Sequence, residues 1–145
     1  MKYVSTAFIL IALLLSVSCS RSDGTYAGKA DIDLTAMSST MAYSMVVDMD
    51  SNPIPYIGKT VKMTGRFATT AVQETGKRYF GCIIMDATAC CGQTIEFELG
   101  GKHSFPEDYP DPGTDVTVIG VFNTYEEYGY TYCTLRNAEL VAKTV

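Results

Sequence analysis

The chain has no tryptophan, a single histidine and few basic residues. The lone histidine, His103, lacks the partner that would make it a catalytic base. Ser104 and Asp108 lie near it in sequence, but no nucleophile elbow accompanies them. Lys and Arg number 11 against 16 Asp and Glu, a formal net charge of −5, and the pI is about 4.7. Non-specific nucleic-acid binding needs a basic surface, so nucleic acid is excluded as a partner. The pair Gly100-Gly101 carries neither a P-loop nor a dinucleotide fingerprint. The apolar run at residues 7–15 falls short of the ~20 residues that span a membrane. There is no internal repeat and no low-complexity segment.

What is present is a chain of 145 residues, 47% hydrophobic, with 10 Tyr and 6 Phe, a composition that excludes disorder. Residues 1–18 read as a removable signal: Met1-Lys2 supplies a positive start and residues 7–15 the apolar segment. Ser16-Val17-Ser18-Cys19 resembles a bacterial lipobox. That resemblance implies cleavage before Cys19, whose thiol then carries a diacylglycerol. The rival is an ordinary small-residue cleavage after Ser20, which would discard Cys19. Residues 19–30 are polar, contain Gly24 and Gly28, and suit a flexible tether. Residues 31–145 are left for one domain, large enough to build a core of its own. The chain is thus expected at the cell membrane, lipid-anchored and extracytoplasmic.

Residues 33–49 lack Gly and Pro and space Leu34, Met37, Met41, Met45, Val46 and Met49 at three and four residues, which predicts an amphipathic helix. Asp31, Asp33 or Thr35 would cap it, and Pro53 would end it. The four-residue Met step invites a copper(I) reading. At 3.6 residues per turn, however, such a step drifts about 40° per repeat, so core packing by Met is preferred. From Tyr56 the period changes to two. Strands are predicted at residues 58–67, 79–85, 94–99, 115–124 and 130–136. Gly65 suggests a bulge or bend in the first of them. Residues 74–77 read as a turn, 125–129 as a hairpin loop, and 100–113 as a long loop pinned to the core by Phe105 and Tyr109. The expected fold is mainly β (α+β): a five-stranded OB-like barrel preceded by one amphipathic N-terminal helix.

The stretch from Pro55 to Gly65 looks like the opening strand of many bacterial OB-fold domains. Asp86-Ala87-Thr88-Ala89-Cys90-Cys91, with residues 93–97, 108–110, 116–120 and 37–41, resembles a family of uncharacterised bacterial OB-fold-like lipoproteins with a D-x-x-x-C-C loop. The vicinal cysteines also resemble part of the soluble OB-like region of a membrane protein that partners a permease. Neither resemblance brings a reaction with it.

The chemistry-bearing residues are mostly cysteines. With Cys19 lipidated, Cys82, Cys90, Cys91 and Cys133 remain, an even set that suits disulfides outside the cytoplasm. Bonding Cys90 to Cys91 closes a strained ring, so Cys82 and Cys133 are the better disulfide partners. Alternatively Cys90, Cys91 and Asp86 ligate zinc or another thiophilic metal, with Cys82, Cys133 or His103 as extra ligands. Adjacent cysteines are not the C-x₂-C knuckle, and they converge only if both sit in a loop. Thiol-redox catalysis would need a cation or helix N-terminus to depress a thiol pKa, and none is visible. Tyr130 and Tyr132 share a strand face that could take a ligand, with sugar or peptide favoured beside Glu126 and Glu127. Three functions follow: a non-enzymatic binding module for a metal or small ligand, a partner-binding accessory subunit of an envelope complex, or a thiol-redox or metal-dependent enzyme.

Overall fold

A computed structural model describes Tyr26 and residues 30–141. The expected signal, Cys19 and most of the tether lie outside the described residues.

The domain is mainly β, a six-stranded mixed sheet with one α-helix. The strands are β1 (Ile32–Asp33), β2 (Thr60–Ala71), β3 (Arg78–Met85), β4 (Gly92–Leu99), β5 (Asp115–Glu127) and β6 (Tyr130–Val141). The helix, α1 (Ser39–Ser51), precedes all but the first of these. The five long strands match the expected ones in order, and the sixth is the two-residue β1, parallel to β2. Pairing runs β2–β3–β4–β6–β5 and returns to β2, so the hydrogen bonds close into a ring. Only β4 and β6 are parallel within that ring.

The helix starts later than its apolar spacing predicted. Asp33 accepts from the Thr35 N–H at 3.0 Å and caps a short 3₁₀ turn, Leu34–Ala36. Ser38 is extended, and its side chain caps α1 by accepting from the Met41 N–H. Asn52 ends the helix just before Pro53, as the proline requires. The buried face is Ala42, Val46 and Met49, which packs against β3, β4 and β6. Removing Val46 and Met49 from water contributes roughly 1.5–3 kcal/mol each. The methionine step drifts off this face, leaving Met41 59% exposed while Met49 is fully buried.

Gly65 marks a change of partner and no bulge. Residues 60–66 pair with β5, residues 66–71 pair with β3, and neither register slips there. A Cβ on Gly65 would lie 2.4 Å from the Ile83 carbonyl oxygen and 2.8 Å from Cys82 Sγ, so glycine alone permits the approach. The slip in the β5–β6 register instead flanks Gly120. The last hairpin is also tighter than expected. Residues 125–127 extend β5, and Tyr128 and Gly129 alone turn the chain, both at positive φ (51° and 81°). That is the geometry of a two-residue type I′ turn. The loop at residues 100–113 is pinned as expected: Tyr109 stacks on Phe80 at 4.0 Å, and Phe105 lies 5.8 Å from the same ring.

Candidate functional site

Met85 pairs with Gly92, so residues 86–91 form the loop between β3 and β4. The Asp86 N–H donates to the Cys91 carbonyl at 2.9 Å and closes the loop at its base. Ala89 takes a left-handed φ of 56° at its tip. The Asp86 carboxylate organises the interior. Oδ1 accepts from the N–H groups of Cys90 (2.9 Å) and Cys91 (3.3 Å). Oδ2 accepts from the Thr88 hydroxyl at 2.8 Å and lies 3.4 Å from Cys90 Sγ. An aspartate that satisfies backbone donors a few residues ahead is what folds such a turn locally.

Both cysteines precede β4, so the strand alternation that would send them to opposite faces does not apply. Their sulfurs are 3.5 Å apart. A disulfide would need about 2.05 Å, whereas two thiolates on a tetrahedral zinc with bonds of ~2.3 Å stand about 3.8 Å apart. One ligand atom from each of Asp86, Cys90 and Cys91 lies within 4.8 Å of the others. The cysteines are exposed and Asp86 half-exposed, so the cluster is open to solvent.

The electrostatics differ between the members. The Thr88 hydroxyl, aided by the Cys91 and Cys90 contacts, holds the Asp86 carboxyl below the usual carboxylate range. The Cys91 thiol is pushed up, chiefly by its hydrogen bond with Cys90 and the negative charge that Cys90 would carry, with Asp86 adding to it. Reactive redox cysteines are shifted the other way.

The other cysteines do not join this cluster. Among the described residues Cys82, Cys90, Cys91 and Cys133 are free thiols, with no disulfide between any of them. Cys82 on β3 pairs with Ile95 on β4, whose neighbour Glu96 pairs with Thr134 on β6. Cys82 and Cys133 are therefore two strands apart, roughly 10 Å, beyond disulfide reach. Both are buried. Burial pushes the Cys82 thiol up to about 12 and the Cys133 thiol up to about 11. The Cys133 thiol points at the Met49 carbonyl, 3.7 Å away. His103 follows the far end of β4, where Nε2 lies 2.8 Å from the Gly100 carbonyl oxygen. It lines a cavity with Phe80, Glu96 and Glu98 and does not join the Asp86, Cys90 and Cys91 group that it was expected to serve.

The tyrosine face is also redistributed. Tyr130 is 68% exposed, whereas Tyr132 stacks on Tyr125 at 5.4 Å. Tyr132 belongs to a groove of about 480 Å³ with Tyr79, Phe80, Glu96, Tyr125 and Glu127 among its walls. Tyr79 and Phe80 are not singled out by the sequence, and Glu96 reads there as one of two solvated carboxylates, with Glu98, on the outer face of a strand. The available signal was Gly81, which lies in one row with Ala68 and Glu96 across three strands. Two residues of that row have little or no side chain, so the sheet surface dips between large aromatics.

No protein family matches the chain, and no curated protein or solved structure is significantly similar to it.

Proposed function

We propose that the chain is a lipid-anchored, extracytoplasmic binding module, an OB-like barrel that holds a thiophilic metal ion such as zinc between Asp86, Cys90 and Cys91. The convergence of these three ligand atoms within 4.8 Å carries the metal reading. The closed ring of pairings, with β4 and β6 its one parallel pair, supports the OB-like reading. The 3.5 Å separation of the two sulfurs, close to that of two thiolates on one tetrahedral zinc, adds to the metal reading. Three protein ligands on an exposed loop leave a fourth position for water or a partner's donor.

The anchor rests on Ser16-Val17-Ser18-Cys19. Tyr26 ties the start of the domain to β6, its N–H donating to Glu139 at 3.3 Å and its hydroxyl to the Asn137 carbonyl at 2.9 Å. That part of β6 adjoins the end of β4, where Leu99 pairs with Ala138. The seven residue steps from Cys19 to Tyr26 can span about 25 Å at most. A lipid on Cys19 would therefore keep this end toward the bilayer and present the Cys90–Cys91 loop, at the other end of β4, to the surroundings.

Metal analysis of protein purified without a histidine tag tests the site. One zinc per chain is expected, with affinity falling at least about 100-fold in Cys90→Ser and in Cys91→Ser. Affinity should climb with pH, because the raised Cys91 thiol must give up its proton to bind. No zinc or copper(I) uptake, or uptake indifferent to both substitutions, overturns the metal reading. Palmitate labelling that persists in Cys19→Ala overturns the anchor.

A further inference from the structure

The groove on the β3–β4 face carries a second, independent site. Its walls include the carboxylates of Glu96 and Glu127, and its residues Tyr79, Phe80, Glu96 and Tyr125 also line an adjoining cavity with Lys77, Arg78, His103 and Arg136. Glu96 is half-buried and accepts from the Tyr125 hydroxyl at 2.6 Å. Among the described residues, no cationic nitrogen lies within 4.0 Å of it. Glu127 accepts from the Tyr79 hydroxyl at 2.5 Å. The two carboxylates thus hold two tyrosine rings and add negative charge beside them.

The chain itself shows what this chemistry attracts. Lys77, on the turn leading into β3, brings its ammonium 4.6 Å from the Tyr79 ring centre and 5.5 Å from that of Tyr125. The same ammonium donates to Glu127 at 2.7 Å. An ammonium facing two aromatic rings and a carboxylate is the arrangement by which proteins recognise organic cations. The Lys77 side chain is 49% exposed, so it can swing out and give up the position. A groove of about 480 Å³ is of small-ligand size. An anion would meet two carboxylates, and a neutral sugar would make no use of their charge.

We propose that this groove binds the alkylammonium group of a small organic cation, which displaces Lys77 from between Tyr79, Tyr125 and Glu127. The site is separate from the Cys90–Cys91 loop and does not depend on it.

Choline and Nα-acetyl-lysine methylamide, titrated into the full chain and followed by the ring-current shift of their protons, test the proposal. Saturable binding of either is expected, at least about ten-fold tighter than binding of 3,3-dimethylbutan-1-ol, the uncharged isostere of choline. Lys77→Met removes the resident ammonium and should tighten binding about five-fold. Glu96→Gln keeps an acceptor for Tyr125 and should weaken binding by a similar factor. Circular dichroism confirms that both variants are folded. Phosphatidylcholine vesicles, run beside phosphatidylglycerol vesicles, separate a lipid headgroup from a free cation as the source of the ammonium. Equal binding of the isostere, no ammonium binding to either the wild type or Lys77→Met, or preference for maltotriose overturns the proposal.

Discussion

The four cysteines of the domain divide into two pairs with opposite chemistry. Cys82 and Cys133 lie in the core, where burial pushes both thiols well above their ordinary range. Cys90 and Cys91 lie in a solvent-exposed loop with their sulfurs converged around a carboxylate. The residue type is the same and the surroundings differ. In the core a thiol is a small hydrophobe whose ionisation is suppressed by desolvation. In the loop the sulfurs are open to water and converge beside one carboxylate, so an ion can reach them, although the Cys91 thiol is pushed up by its neighbours Cys90 and Asp86. Cysteine count therefore says little about chemistry here, and backbone setting says most of it.

The sharpest way to break the comparison is to disturb the core pair's surroundings. Gly65→Ala places a methyl against the Ile83 carbonyl oxygen and Cys82 Sγ, within 2.8 Å of both. Backbone cannot yield as a flexible side chain does, so a loss of about 3 kcal/mol is expected in urea unfolding. Cys82→Ser comes next. It puts a hydroxyl in a fully buried site, and a buried hydroxyl without a partner costs about 2 kcal/mol. A stability change below about 0.5 kcal/mol in either variant would mean that this part of the core is looser than its packing indicates.

Much of the fold was legible from local pattern. Alternation locates strands such as 58–67 and 94–99, an apolar run between turns locates the one at 79–85, and Pro53 marks the end of the helix. Phe105 and Tyr109 were identified as anchors of the long loop because apolar rings in a polar segment have little else to do. What was not legible depended on registers between distant strands. The two-strand separation of Cys82 and Cys133 comes from β4 running parallel to β6, which no local signal encodes. His103 follows the far end of β4 from the cysteine loop, a placement invisible without the strand directions. The start of α1 was misplaced because Asp33 and Ser38 each cap a separate turn, while the apolar spacing runs straight through both. The Asp86, Cys90 and Cys91 set was legible because its members share one six-residue loop; whether they converge depended on β4 starting at Gly92.

The loop pair should barely respond to the same substitution. Cys90→Ser changes an exposed atom whose contacts are to Thr88, Asp86 and Cys91. Its effect on the stability of the metal-free protein should stay within about 0.5 kcal/mol. A loss as large as that of Cys82→Ser would mean that the loop is a structural element of the domain, which would remove the contrast between the pairs.

The smallest expected effect is the pH dependence carried by Asp86. Its folded pKa lies below the unfolded value because the Thr88 hydroxyl and the loop's N–H groups favour the carboxylate. A group shifted in that direction adds stability above its unfolded pKa of ~3.9 and loses it as pH falls through the folded pKa. Asp86→Asn should therefore lower stability slightly at neutral pH and converge on the wild type as pH falls through the folded pKa of Asp86, flattening the acid limb of a thermal-denaturation series. The carboxylate is open to solvent, so screening keeps the difference small. A variant that matches the wild type at every pH would mean that these hydrogen bonds exchange with water at no net gain. The loop would then owe its shape to the backbone closure between Asp86 and Cys91, and the sulfurs would converge without help from the carboxylate beside them.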